Sequence, residues 1–493
     1  MTSTTAPCSS DDGLPSDVEK QSCREDDENG RTNKVEGQRH DAAPGDEQPY
    51  ADEWQIEPEP DLFNTGADGM AGAVSRVLSK ISTNASWNPG PPPDGGKAAW
   101  LMCFFGHIVI MNTWGFINSF GVFQTYYATL LNRPPSDISW IGSIQVFLTF
   151  FIGTFTGRLI DAGLLRPVLA TGTFFMTLGI FTTSAATEYW QLLLSQGLCM
   201  GLGSGCLFCP TISTTSTYFS SKRALALGIV ACGSVTGGLV FPAMARQLLP
   251  SAGFGWSVRA IGFVQCVTLV FANLFLRSRL PPRRAGRLIE WTAFREPEYA
   301  LYAAGCFFNF WGLYFAFYYV AAFGRAQIHP VFEYEESLNV LLLMNGISVL
   351  GRIVPNHLAD RFGPLNIMVP VCFFTGIALL AWMAVHTPAQ LYVWAVFYGI
   401  VAGGLQGLFP AGLSSLTTDL RKQGTRMGMV FTIVSFAVLT GNPIAGAIVS
   451  RCGGKYWGAQ LFTGLSLMVG MTLIAAARWV RMRRTGAGWG VRV

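Results

Sequence analysis

From residue 98 onward the chain consists of apolar stretches of about 20 residues that follow one another with only short polar breaks. A helix of that length crosses about 30 Å of hydrocarbon, because each residue adds about 1.5 Å. The pattern therefore predicts an all-α membrane protein with twelve transmembrane helices. The predicted spans are 98–125, 138–160, 167–187, 190–214, 223–248, 256–276, 298–323, 337–358, 365–385, 391–415, 425–449 and 457–480.

Six of these spans lie on each side of a basic loop, and this arrangement predicts two pseudo-symmetric six-helix bundles. The predicted boundaries are 94–276 for the first bundle, 277–297 for the central loop, 298–480 for the second bundle and 481–493 for a cytosolic C-terminal tail. Paired halves are typical of transporters, whose binding sites lie between the halves.

A short charged turn recurs after the second span of each half and supports an internal duplication. The first copy reads GRLIDAGLLRP and contains Asp161, and the second reads NHLADRFGP and contains Asp360. Each aspartate is placed to accept hydrogen bonds from a neighbouring helix N-terminus or from an arginine, for which Arg166 and Arg361 are nearby candidates. We expect these residues to form a conformational gate with no catalytic role.

Charge is distributed unevenly along the chain. Residues 1–61 hold 17 of the 30 Asp and Glu residues but only five Lys and Arg, so the net charge of +4 combines a tail of −12 with a body of +16. Such a polar segment cannot bury enough apolar surface to offset the entropy lost on ordering. We therefore expect residues 1–93 to form a disordered, acidic, cytosolic tail.

The distribution of Lys and Arg among the loops predicts the orientation in the membrane. With the N-terminus inside, the inner loops and the C-terminal tail hold 19 basic residues, whereas the outer loops hold six. The positive-inside rule then places both termini in the cytosol. We expect a multi-pass protein of the plasma membrane, with the vacuolar or another internal membrane as the alternative.

Arg352 lies inside the apolar part of the eighth span, roughly 9 Å from its inner end. A guanidinium at this depth costs several kcal/mol unless it faces water, a partner or a ligand. It either extends to the inner surface or binds an anion in a central cavity. Asn345 and Ser348 lie seven and four residues earlier on the same helical face, and this polar stripe favours the cavity.

Further polar and aromatic residues on other spans are candidates to line the same cavity. Asn118 shares a helical face with Trp114 on the first span. Trp311, Tyr314 and Tyr318 form an aromatic stripe on the seventh span. This stripe either faces lipid or lines the cavity, and in the second case it suits an aromatic or bulky substrate.

The sequence offers few groups for proton coupling. No acidic residue lies in a predicted span at the depth of Arg352, so a buried carboxylate relay is not evident. His107 in the first span could titrate near neutral pH, or it could be a hydrogen-bonded packing residue. The remaining alternatives are that the substrate carries its own proton, that its carboxylate couples through Arg352, or that transport is uniport.

Three short segments resemble a known family. They are DGGKAAW at 94–100, TYFSSKRALALGIVACG at 217–233 and GFGWSVRAIGF at 253–263. These segments resemble signatures of the monocarboxylate porter family, within the major facilitator superfamily, and the long acidic tail resembles its fungal branch. The resemblance implies the major facilitator fold over about residues 94–480.

The chain departs from one pattern of that family. Proton-coupled lactate carriers of the family have a lysine late in helix 1 and an aspartate one turn before an arginine in helix 8. Here Asn118 and Ser348 stand at those two positions, and only the arginine remains, as Arg352. The resemblance therefore does not imply proton symport of the lactate type.

The function predicted from these features is secondary transport of a small organic molecule across the membrane. The resemblance to fungal relatives implies a monocarboxylate-like weak acid or a carboxylic or polyketide metabolite, with efflux favoured over uptake of a vitamin or nutrient acid. A non-transporting sensor that signals through the tail is the other alternative. The chain has neither HExxH nor GxSxG, and the one CxxC spacing among its eleven cysteines, Cys206 and Cys209, lies inside an apolar span, so we expect no enzyme activity, cofactor or metal. The expected partners are the substrate and the lipid bilayer, and protons if transport is coupled to them. We expect no nucleic acid partner, and an accessory single-span protein is not indicated.

Overall fold

The computed structural model describes residues 90–131, 135–282 and 288–486. The predicted tail over 1–93 lies outside these residues except for its last four. The described residues contain no β-strand, and ten of their helical segments are long and apolar enough to cross a membrane. The prediction of an all-α membrane fold is therefore confirmed.

The longest of the ten segments, with 53 residues, makes two passes through the bundle. Gly253 interrupts it with φ 73° and ψ 171°, values outside the helical region. On one side of this break Asn118 donates a hydrogen bond to the carbonyl of Ser234, and on the other side Asn112 donates to Thr268. Both arms therefore pack along the first helix, and the chain reverses its direction at Gly253.

A further helix, Tyr334–Phe362, is long enough to span the membrane although its polar residues lower its hydropathy. With it, the described residues form twelve passes, six in each half. The helices of the first half are Gly96–Asn118 and Phe120–Leu131 in pass 1, Pro135–Phe151 and Gly153–Asp161 in pass 2, Leu165–Thr183 in pass 3, Tyr189–Leu192, the π-helical Leu193–Cys199 and Met200–Thr217 in pass 4, and Arg223–Ala231 and Gly233–Phe275 in passes 5 and 6.

The second half repeats this arrangement after the central loop. Its helices are Pro297–Leu313 and Phe315–Gln327 in pass 7, Tyr334–Phe362 in pass 8, Pro364–Ala381 with the 3-10 turn Trp382–Ala384 in pass 9, Pro388–Leu416 in pass 10, Gln423–Arg451 in pass 11 and Trp457–Thr485 in pass 12. Two short 3-10 helices, Trp291–Arg295 and Leu420–Lys422, precede passes 7 and 11.

The central loop, which the sequence suggested to be simply basic, is attached to pass 11 through its acidic residues. Glu290 accepts a hydrogen bond from the ammonium of Lys422 at 2.6 Å, and Glu296 binds the guanidinium of Arg426 with both carboxylate oxygens. Tyr299, at the start of pass 7, donates a hydrogen bond to the carbonyl of Arg426 at 2.8 Å. These contacts connect the loop to the same helix that binds Asp161, as described below.

Asp94 fixes the chain where it enters pass 1. Its carboxylate accepts hydrogen bonds from the backbone N–H groups of Ser220, Ser221 and Lys222 at 2.8 to 3.2 Å, and from the Ser221 hydroxyl. Burial alone would raise the pKa of Asp94, but these donors outweigh it and lower the pKa to about 2. The carboxylate therefore stays ionised at every physiological pH and stabilises the loop before pass 5.

We expect Asp94→Asn to lower stability by about 1 kcal/mol, because a neutral amide oxygen accepts these hydrogen bonds more weakly than the carboxylate does. Because the folded-state pKa of about 2 lies below the ordinary value of 3.8, this contribution is complete above about pH 4 and is lost as the pH falls towards 2. Thermal unfolding in detergent should show a constant difference from wild type between pH 5 and 8. A difference that disappears within that range would contradict the assignment.

Candidate functional site

The two halves meet at one end of the bundle, where each charged turn binds a helix of the opposite half. The carboxylate of Asp161, at the end of pass 2, accepts hydrogen bonds from the N–H groups of Gly424 and Thr425 at 3.0 and 2.8 Å. The Thr425 hydroxyl adds a third at 2.6 Å. These donors lie in the first turn of pass 11, where the helix dipole favours a negative charge.

Asp360 makes the pseudo-symmetric contact at the end of pass 8. It accepts hydrogen bonds from the N–H groups of Ala224 and Leu225 at 2.8 and 2.9 Å, in the first turn of pass 5. The pairs 2–11 and 8–5 are therefore related by the internal duplication that the sequence predicted. We call this end, defined by Asp161 and Asp360, the closed end.

Glycines allow the helix backbones to touch at the closed end. A Cβ added to Gly157 would lie 2.1 Å from the carbonyl oxygen of Gly424, and one added to Gly428 would lie 2.1 Å from the oxygen of Gly153. Real Cβ atoms do not approach so closely, so these positions of passes 2 and 11 can only hold glycine in this arrangement. The backbones of passes 2 and 11 are therefore in direct contact at these glycines of the closed end.

Arg166 and Arg361 take a different place from the one expected. Both are exposed, whereas the described hydrogen bonds of Asp161 and Asp360 go to helix N-termini. The guanidiniums within electrostatic reach of the two aspartates are instead those of Arg158 and Arg223. The carboxylates turn towards the opposite half because the N–H groups there have no intrahelical acceptor.

The opposite end of the bundle opens into a cavity of about 830 Å³ between the two halves. We call it the main cavity. It reaches the open end of the molecule, since its wall includes exposed residues at the far ends of pass 2 and pass 7, Trp140 and Arg325. Five residues named in the sequence analysis line it, namely Trp114, Asn118, Tyr314, Tyr318 and Asn345.

Other lining residues were not selected from the sequence. Four of them are aromatic, namely Phe120, Trp140, Phe317 and Tyr319. Arg325 and Leu341 also line the cavity. Arg325 follows the predicted span 298–323 by two residues, so the sequence assigns it to an outer loop, where an arginine is common. The aromatic residues belong to apolar runs that contain many aromatic residues at irregular spacing. Only the structure separates those that line the cavity from those that face lipid.

Trp311 does not line the main cavity, which corrects the predicted stripe on pass 7. Its indole N–H donates to the Thr440 hydroxyl at 3.1 Å, and its ring packs edge-on against Phe462 at 5.0 Å. Trp311 is instead directed towards passes 11 and 12, where Thr440 and Phe462 lie, whereas Tyr314 and Tyr318 line the cavity.

Arg352 lies at the inner side of the main cavity and does not extend to the surface. It is only 2% exposed, and its two terminal nitrogens donate to the Ser348 hydroxyl at 2.6 Å and to the Gln406 side-chain oxygen at 2.8 Å. Ser348 in turn donates to the carbonyl of Asn345. The guanidinium lines a second, smaller pocket of about 50 Å³, which we call the inner pocket.

The charge of the two cavities is positive. Arg325 lies near the mouth of the main cavity and Arg352 in the inner pocket, while no acidic residue is among the described residues that line either one. Cavities with charges of one sign and low-dielectric walls concentrate ions of the opposite sign. In the described part of the chain, no cluster of three His, Cys, Asp or Glu residues is arranged to hold a metal ion.

His107 lies away from both cavities. One ring nitrogen is 2.8 Å from the carbonyl oxygen of Ile229 and the other is 3.0 Å from the Thr236 hydroxyl. Both nitrogens therefore connect pass 1 to pass 5 within the first half. This is the arrangement of a packing residue, one of the two alternatives that the sequence left open.

Comparison with known proteins identifies the family of this two-half arrangement. The sequence profile of the Major Facilitator Superfamily matches residues 103–425. The chain belongs to the Major Facilitator Superfamily. Its multi-pass fold, its central cavity and its closed end are those of an MFS-type membrane transporter.

Relatives of this MFS chain are known from fungi. It is 57% identical over 399 residues to an MFS-type transporter of Gibberella zeae, covering 81% of this chain and 90% of the relative. It is 35% identical over 401 residues to the aspyridones efflux protein apdF of Emericella nidulans, covering 81% of each chain.

Among solved structures, the E. coli fucose:proton symporter FucP in its outward conformation superposes with a TM-score of 0.60. The superposition covers 77% of this chain and 98% of FucP at 15% sequence identity, so it establishes a shared MFS fold and nothing finer.

Proposed function

We propose that this MFS transporter exports an acidic, aromatic organic molecule of the size of a polyketide-type secondary metabolite across the plasma membrane. The observation that supports this function best is the main cavity with its inner pocket, which combines aromatic walls and two arginines with the absence of acidic residues from the described lining. Alternating access between the two halves would move the molecule from the closed end to the open end.

The size of the main cavity favours a large substrate. Its volume of about 830 Å³ falls within the range of roughly 300–1,000 Å³ that holds drug-sized ligands. A lactate-sized acid would contact only a small part of such a wall. Tyr314, Phe317 and Tyr318 supply ring faces and edges on which a substrate with its own rings could stack.

The relatives support export of metabolites. The relative apdF is an efflux protein for aspyridones, and this chain is 35% identical to it over most of its length. We infer the same direction of transport for this chain. The sequence segments that resemble the monocarboxylate porter family support a substrate with an acidic group, and two of them bind each other through Asp94 and Ser221.

In this proposal the closed end faces the cytosol. The excess of Lys and Arg in the loops at that end supports this orientation through the positive-inside rule. A proton, if one is coupled, travels on the acid group of the substrate, because His107 lines neither cavity and no described lining residue is acidic.

Export can be tested in intact yeast cells that express the full-length chain. The cells are loaded with 2-naphthoic acid, a fluorescent aromatic acid, and its loss from the cells is followed after transfer to fresh medium. We expect the acid to leave several-fold faster than from cells with empty vector. Faster accumulation would indicate an uptake carrier, and rates equal to those of the vector control would favour the sensor hypothesis; either result contradicts the proposal.

A further inference from the structure

The inner pocket contains two hydrogen-bond donors that have no acceptor in the structure. The indole N–H of Trp114 and the Nε–H of Arg352 are both buried and unpaired. Trp114 is 6% exposed and Arg352 is 2% exposed, so water on the molecular surface does not satisfy either group. An unsatisfied buried donor costs about 1–3 kcal/mol, and two around one pocket call for an explanation.

The two donors come from opposite halves of the transporter. Trp114 belongs to pass 1 and Arg352 to pass 8, and both line the inner pocket. The pocket volume of about 50 Å³ is one to two times the roughly 30 Å³ that a water molecule occupies in the liquid. It therefore accommodates a group as small as a carboxylate, and a larger substrate would have to place its remaining atoms in the main cavity.

Trp114 also forms part of the boundary between the two cavities. Its ring lies nearly parallel to that of Tyr314 on pass 7, with 8° between the planes and 6.1 Å between the centroids. Both residues line the main cavity and the inner pocket. A substrate whose acid group entered the inner pocket would thus hold the atoms next to that group against two parallel ring systems.

We propose that Trp114 is the second donor of an anion subsite in the inner pocket, and that it selects acids conjugated to a planar ring. The indole N–H and the Nε–H of Arg352 donate to the oxygens of one carboxylate or enolate, while the rings of Trp114 and Tyr314 pack against the attached planar system. This inference rests on the proposed function, since it specifies the class of acid that the transporter recognises.

The subsite explains why the remaining bonds of Arg352 are made within its own half. Its terminal nitrogens each donate one hydrogen bond, to Ser348 and to Gln406, and these bonds fix the guanidinium, while its Nε–H has no acceptor. Donors on one side alone hold an anion less firmly than donors on two sides. A second donor from pass 1 completes a two-point site, and a site shared by both halves can couple binding to their relative movement.

The test is equilibrium binding of radiolabelled 2-naphthoate and 2-naphthamide to the purified full-length chain. Trp114→Phe keeps an aromatic ring but removes the N–H, so we expect naphthoate binding to weaken about tenfold and naphthamide binding to change less than about twofold. Trp190→Phe is the matched control, because Trp190 is 60% exposed and lines neither cavity; it should change neither affinity. The ratio of the two affinities within one variant is insensitive to the fraction that folds.

Each outcome separates the subsite from the proposed function. If Trp114→Phe binds naphthoate as wild type does, or loses both ligands equally, the second donor is disproved. The function would survive that result provided that Arg352→Gln still abolishes naphthoate binding. If wild type binds no naphthoate, or if Arg352→Gln leaves its affinity unchanged, the proposed function and the subsite are both disproved.

Discussion

Arg352→Gln is expected to reduce the affinity for aromatic acids and their export at least about 100-fold while leaving the fold intact. Charge-assisted hydrogen bonds contribute about 1.5–3 kcal/mol each, and 1.4 kcal/mol corresponds to a factor of ten in binding. Gln keeps an uncharged amide on the same helical face, although it is too short to reach both Ser348 and Gln406, the present partners of the guanidinium. The substitution also removes a charge that is costly to bury in a membrane helix, so we expect the fold to tolerate it.

Arg325→Gln is the matched control for this loss of charge. Arg325 is exposed near the mouth of the main cavity, where water and salt screen its charge. We expect a decrease in export of only a few-fold, which diminishes as the ionic strength rises. Export and binding by Arg352→Gln at wild-type levels, measured with 2-naphthoate, would show that Arg352 is a structural charge and would remove it from the substrate site.

Gly157→Ala is expected to prevent the closed end from forming. The new methyl group would lie 2.1 Å from the carbonyl oxygen of Gly424, which is backbone and cannot rotate away. Overpacking of this kind costs about 1–3 kcal/mol, enough to shift a two-state equilibrium about 5- to 150-fold. Passes 2 and 11 would separate, and the hydrogen bonds from Gly424 and Thr425 to Asp161 would be lost with them.

The separation can be measured by hydrogen–deuterium exchange, together with export of 2-naphthoate. We expect faster exchange in the first turns of pass 11 and at least a tenfold slower export. Gly346→Ala is the matched control, because a Cβ at Gly346 in pass 8 meets no atom within 4 Å. Unchanged exchange in the Gly157→Ala variant would show that the two helices are not held together by this contact.

The sequence was sufficient to predict the fold and the symmetry of the gate. Spans of about 20 apolar residues have few alternatives to membrane helices, and the recurrence of an aspartate after passes 2 and 8 identified Asp161 and Asp360 as equivalent residues. Their donors could not be decided, because helix N-termini and arginines both suit a carboxylate. In the structure, backbone N–H groups in the first turns of passes 11 and 5 donate to the two aspartates, and Arg166 and Arg361 are exposed.

The lining of the cavity was harder to predict than its charge. Arg352 is conspicuous because an arginine in an apolar helix needs compensation, whereas aromatic residues are stable against either lipid or a cavity. Trp311 shows the limit of helical periodicity, since it shares a stripe with Tyr314 and Tyr318 in the sequence but contacts Thr440 and Phe462 on passes 11 and 12. The unpaired indole N–H of Trp114 depends on side-chain contacts that no periodicity contains.

Counterflow in proteoliposomes that contain only the purified chain tests the central claim most directly. Vesicles are preloaded with unlabelled 2-naphthoate, lactate or 2-naphthylmethylamine, and trace labelled 2-naphthoate is added outside. The positively charged, aromatic cavity predicts transient accumulation of label in vesicles preloaded with 2-naphthoate, and none in the other two or with Arg352→Gln. Equal accumulation with the amine, or none in any vesicle, would contradict the assignment of this chain as a transporter of aromatic acids.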